Sequence, residues 1–124
     1  MATLSGENAL AIVDLKTNEV TKVAVGNVPI QFYIQHDDQY VFVANEGTED
    51  SPSNTVSKIN LNSKEVVETI EVGNGAHGVA ISEDDQYVFV TNAFDDTVSV
   101  IDNETSEVIA TVNVGEKQNG ITIQ

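Results

Sequence analysis

The sequence predicts an all-β chain of β-propeller blades, each of four antiparallel strands, with about three blades in a partial or half propeller. Three observations predict it. A phrase that opens at Asn8 opens again at Asn54 and Asp96, at intervals of 46 and 42 residues. Periods of that size made only of short β-like runs are those of propeller blades. No segment carries a helical period, and each period alternates apolar runs of strand length with clusters of turn formers. The repeats take 8–53, 54–95 and 96–124 of a single segment, 1–124.

Taken in order, residues 2–5 read as a poor second strand. Third strands follow at 8–14, 54–60 and 97–102, and fourth strands at 20–25, 66–72 and 108–114. In the fourth strands Val23 and Val25 align with Ile70 and Val72 and with Val112 and Val114, a period-2 apolar face. Thr21, Lys22, Glu68, Glu71 and Asn113 lie among them, and polar residues on an outermost strand discourage edge pairing. The first strands are 31–35 and 78–82; Gly78 and Ala80 suit crowding near a central axis. The strongest strands are 39–45 and 86–92, where Val41-Phe42-Val43 and Val88-Phe89-Val90 are consecutive and bulky. Bulk on both faces implies a sheet sandwiched between two others, with the four valines buried and both phenylalanines packed between blades. Asp-rich turns at 36–39 and 83–86 join first to second strands, since Asp side chains bond nearby backbone amides. The loop 46–53, with Gly47 and Pro52, accounts for the longer first interval. Residues 120–124 read as an innermost strand, so head and tail together make a composite blade.

The chain carries 20 Asp and Glu against 5 Lys, with no Arg, for a net charge of −15. Such a field repels phosphate backbones and anionic lipid, which excludes nucleic-acid partners and membrane insertion. It suits salty or extracellular surroundings, where self-repulsion is screened. With no Cys there is no disulfide framework, thiolate metal site, Cys nucleophile or heme-attachment motif. No run approaches the ~18 apolar residues of a membrane span. The abrupt start is that expected of a segment from a longer export product, at least as much as of a cytosolic protein.

His77 is the best single candidate for chemistry. It stands where the chain enters an innermost strand, facing the channel in which propellers often bind ligands, and imidazole can act as base or metal donor. Its aligned positions are Ile30 and Asn119, the second of which is also a channel-facing ligand candidate. A hydrogen-bonded structural imidazole is the plainer reading of His77, and His36 in its hairpin turn reads as solvated. Glu46, Glu49 and Asp50 in the long loop are the candidate metal ligands, for calcium, the one cofactor admitted. No Asp-x-Asp-x-Asp-Gly pattern supports them, and the acidic pairs 37–38, 84–85 and 95–96 read as turn chemistry. Asn45 and Asn92, at the ends of the strong strands, read as tying down the loops that follow. The glycines at 73, 75 and 78 precede no helix, so they form no phosphate loop, and no Gly-x-Ser-x-Gly elbow is present.

Tyr87-Val-Phe-Val-Thr-Asn92 and Tyr40-Val-Phe-Val-Ala-Asn45 stand where the YVTN family of propeller repeats carries its signature. Thr97-Val-Ser-Val-Ile-Asp102 and Val72-Gly-Asn-Gly-Ala-His-Gly78 match its other recurring phrases. The chain resembles that family over nearly its whole length, although it stops at about three repeats and lacks a Pro before His77, where Pro29 stands one repeat earlier. The resemblance implies a bacterial or archaeal protein, exported or at the cell surface, with a scaffold or interaction role more than a catalytic one. The alternative is a segment of a lactonase-like propeller hydrolase. It is opposed by the lone His77, the absence of Arg and a field that repels anionic substrates. Heme or quinone redox propellers would need ligands that these repeats lack. Three blades are too few to close a ring, so the expected partners are a second copy, making a homodimer with a six-bladed ring, and a protein or cell-surface partner.

Overall fold

The computed structural model describes residues 1–114, and within them the chain is all β. Its strands are β1 (Ala2–Leu4), β2 (Ala9–Val13), β3 (Val20–Ala24), β4 (Pro29–Ile34), β5 (Tyr40–Gly47), β6 (Pro52–Asn60), β7 (Glu65–Glu71), β8 (Ala76–Ile81), β9 (Tyr87–Asn92), β10 (Thr97–Asp102) and β11 (Glu107–Asn113). They form three antiparallel sheets in the orders β1-β2-β3, β4-β5-β6-β7 and β8-β9-β10-β11, three meanders side by side. The inner strand β4 lies closer to β1 and β8 than the outer strand β7 does to β3 and β11, which is the wedge arrangement of propeller blades. The short second strand at the head forms and pairs with β2, and Thr3 Oγ1 and Ser5 Oγ donate to the carbonyls of Ile30 and Pro29, tying it to the next blade. Gly120–Gln124, expected as an innermost strand, and Asn119 lie outside the described residues.

Two apolar clusters lie between the three sheets. Val41 and Val43 point toward the first blade, meeting Leu10, Val23 and Ile59. Phe42 and Ala44, on the opposite face of the same strand, join Val56 and Ile70 against Val79, Ile81, Val88 and Val90 of the third blade. Consecutive bulky residues are therefore required, because alternation presents successive side chains to opposite faces and each face has a neighbour. Each such fully buried side chain contributes roughly 1.5–3 kcal/mol. The four valines are buried as expected, and Phe42 is fully so. Phe89 is only half-buried, on a blade with no further described blade beyond it.

Asn45 and Asn92 do more than hold loops. The Nδ2 of Asn45 donates to Thr55 Oγ1 and Ser57 Oγ of the adjacent strand, and that of Asn92 to Thr97 Oγ1 and Ser99 Oγ. Each amide sits against a glycine of the preceding inter-blade loop: a Cβ at Gly26 or Gly73 would stand 2.7 Å from the Asn Cγ. The strand-end Asn, the Thr-x-Ser of the next strand and the Val-Gly of the loop are thus one packing unit written twice. At Gly47 a side chain would strike backbone, with Ser53 N at 2.2 Å, and φ is +70°, so the β5–β6 turn needs glycine there.

Candidate functional site

The strand register places the two ends of each blade. The inter-blade loops and the β5–β6 turn gather at one end, and the Asp-rich hairpins gather at the other. At the first end β8 opens with Ala76 and His77, and β5 runs two residues past Asn45, through Glu46 to Gly47. This brings the Glu46 carboxylate of the second blade to His77 of the third, with Nδ1 2.5 Å from Oε2. Both side chains are about one-fifth exposed, at 20% and 18%. A carboxylate only accepts, so Nδ1 carries the proton of this bond and Nε2 is the ring nitrogen left for another partner. A carboxylate-oriented imidazole of this kind is the arrangement in which histidine serves as metal donor or base. His77 is where the sequence places it, but its partner is Glu46, which the sequence reading assigns to a metal-binding loop.

That loop does not exist as expected. Glu46 belongs to strand β5, β6 already starts at Pro52, and only the short turn between them carries Glu49 and Asp50, both exposed. Glu46 is committed to His77, and among the described residues no three His, Cys, Asp or Glu side chains gather as a metal-binding group. The acidic pairs do serve their turns. Asp37 Oδ1 accepts from Gln39 N, and Asp84 Oδ1 accepts from Gln86 N and Ser82 Oγ. The Ser82 hydroxyl, followed by the Gln86 amide, holds the Asp84 carboxyl below its usual range.

The opposite end carries a network that the repeats alone do not announce. His36, expected to be merely solvated, places Nδ1 2.7 Å from Asp85 Oδ1, and Asp85 also accepts from the backbone N–H groups of His36 and Asp37. Asp85 lies in the third blade and its targets in the second, so the carboxylate latches two hairpins together. Beside it Asn103 Nδ2 donates to Gln35 Oε1 and to the Asp85 carbonyl, both at 2.8 Å. Lys58 Nζ donates to Asn103 Oδ1 at 3.0 Å and lies 4.4 Å from the centroid of the Tyr40 ring. Burial lowers the pKa of Lys58, and the nearby Glu68 and Asp37 offset part of that. The signal for Lys58 was in the repeat: it takes the place held by Ile12 and Val100 in the other two.

Residues 1–121 match the family described as Cytochrome D1 heme domain. No curated protein matches the chain. Among solved structures it is similar to hydrazine synthase of Kuenenia stuttgartiensis, with TM-score 0.82 and 23% identity over 94% of this chain and 33% of that one. It is similar to apo AztD of Citrobacter koseri, with TM-score 0.75 and 13% identity over 93% and 31%. It is also similar to the dihydro-heme d1 dehydrogenase NirN in complex with DHE, with TM-score 0.77 and 18% identity over 94% and 24%. At these identities the likeness is one of fold, and the chain spans a quarter to a third of each structure. The family match overturns the expectation of no cofactor other than calcium, and with it the exclusion of heme propellers for want of ligands.

Proposed function

The chain belongs to the cytochrome D1 heme domain family, and on that premise we propose that it is a heme-handling section of a propeller wall in which His77 meets the bound group. The observation that carries this reading is the His77–Glu46 pair: an imidazole on an innermost strand, partly exposed, with Nδ1 held at 2.5 Å by a carboxylate from the neighbouring blade. The donor chemistry fits. Glu46 fixes the tautomer and ring orientation, as carboxylates behind metal-binding histidines do. A bound heme would supply an iron centre that accepts one imidazole nitrogen and changes oxidation state. The remainder of the cradle falls to other parts of a ring. The chain has no Arg to meet the carboxylates of a heme, and the half-buried Lys58 stands at the far end of the blades. The family ring is eight-bladed and three blades form here, so a shared site is the natural expectation.

Adding hemin to the chain and following the Soret band tests this. We expect a saturable change with one equivalent, lost in His77→Ala and weakened about tenfold or more in Glu46→Gln. A titration unchanged in His77→Ala, or no saturable change from a folded chain, contradicts the reading and favours a purely structural wall.

A second reading, compatible with the first, rests on the open face of the third blade. Val112 and Val114 are exposed there, whereas their counterparts one blade earlier are buried at Ile70 and half-buried at Val72. We propose that this face associates, a second copy being the partner, as uncovered apolar sheet faces do. The pairing proposed is of faces, with no closed ring required. Relatives in the family work in the periplasm, which agrees with a setting outside the cytoplasm. The YVTN-type phrases further support a protein exported to the cell surface.

A further inference from the structure

We propose that the Lys58 cavity, at the end of the blades away from His77, is a binding site for a neutral sugar unit. The proposal rests on neither His77 nor heme. The cavity has a volume of about 360 Å³, within the roughly 300–1,000 Å³ of small-molecule sites, and lies between the second and third blades.

Three features of this cavity carry the inference. The first is that Lys58 breaks the repeat. Its position is aliphatic in the neighbouring repeats, as Ile12 and Val100, and a lysine half-buried among Tyr40, Phe42 and Asn103 carries a desolvation cost that plain packing would avoid. The second is that the network already described fixes Lys58: Asn103, itself buried, is held by Gln35 and the Asp85 carbonyl, so the ammonium is positioned rather than swinging in solvent. The third is the balance of the lining. Asp102 and Glu104 supply hydrogen-bond acceptors and, with Asp85, oppose an anion, while Lys58 supplies a donor. A ligand suited to this lining carries no negative charge, donates hydrogen bonds to carboxylates and accepts them from an ammonium, and presents an apolar face to the exposed Tyr87 ring. A pyranose with its hydroxyls and C–H faces meets each requirement.

The experiment is a titration of the 15N-labelled chain with D-glucose, D-galactose and cellobiose, read by amide shifts, with tyrosine emission as a second signal. Tyr33, Tyr40 and Tyr87 are the three tyrosines, there is no Trp, and two of the three line the cavity. We expect saturable shifts clustered at Tyr40, Lys58, Gln86 and Asn103 with at least one of these sugars. Affinity should fall about tenfold or more in Lys58→Met, the loss expected when a charged hydrogen-bond donor is removed. D-glucuronate should bind more weakly than glucose. Lys58→Met restores the apolar character of Ile12 and Val100 and should fold. Tyr87→Ala, at an exposed position, provides the same test by a route that leaves the core intact. No saturable response to any of the three neutral sugars would overturn the proposal. So would unchanged affinity in both variants, or tighter binding of D-glucuronate.

Discussion

Ile70 and Val112 hold the same place in the outermost strands of successive blades, yet Ile70 is 5% exposed and Val112 is 50% exposed. Phe42 and Phe89 repeat the contrast in the second strands, the first fully buried and the second half-buried. The backbone around each pair is the same: antiparallel ladders in matching register, with Val56 opposite Ile70 and Val98 opposite Val112. What differs is the neighbour. The second blade lies between two others, whereas the described part of the third has a neighbour on one side. Repeated sequence therefore specifies the strand, and the adjacent blade decides how much of that strand's apolar surface leaves water.

The sharpest way to break this comparison is to truncate the paired phenylalanines. Phe42→Ala should cost about 3–5 kcal/mol, the range for a fully buried aromatic, and Phe89→Ala less than about half of that. Urea midpoints would show it, and equal losses would mean that the third blade is covered as fully as the second. A next test addresses what the blades share. Gly26→Ala and Gly73→Ala each drive a Cβ to 2.7 Å from an Asn Cγ, and each should cost about 1–3 kcal/mol, alike in both blades. Unequal costs would show that the packing unit is not a true repeat. A smaller effect separates two aspartates at matching turn positions. Asp85 accepts three inter-blade bonds, and among the described residues Asp38 makes none of that kind. Asp85→Asn should lose about 1 kcal/mol and Asp38→Asn almost nothing, since Asn tolerates the positive φ of 60° and 62° at these sites.

The smallest effect is a pH dependence. The folded pKa of Lys58 lies below its ordinary 10.5, so between those values the unfolded chain binds more protons. Stability from this group rises as pH climbs through that window and is flat below it. Lys58→Met should flatten the difference in urea midpoint between neutral and alkaline solution, modestly because the ammonium is partly solvated. A steeper alkaline rise in the variant would contradict the assignment.

Most of the fold was legible because it is written in repeats. The alternation at Val41-Phe42-Val43 dictates two buried faces, the Asp turns dictate the hairpins, and the period gives the blades. Less of the site was legible, for a physical reason: its contacts cross between blades. Glu46 and His77 stand 31 residues apart, and His36 and Asp85 stand 49 apart. No local spacing joins such pairs, so the sequence shows His77 without its partner and groups Glu46 with Glu49 and Asp50 as loop ligands. Lys58 had a local signal, an ammonium in an aliphatic slot, visible once the three repeats are aligned. The open face had none, since Val112 reads as apolar in every alignment and only packing reveals that it is uncovered.

The account turns on that open face, and the most direct test is the solution mass measured by light scattering at increasing salt. The chain has a mass of 13.3 kDa. If the exposed apolar strand seeks a partner face, the measured mass should approach twice that value. It should do so more completely as salt screens the −15 charge, and Val112→Lys should return it to one chain. A folded species that stays at a single chain's mass at every salt concentration would contradict the account.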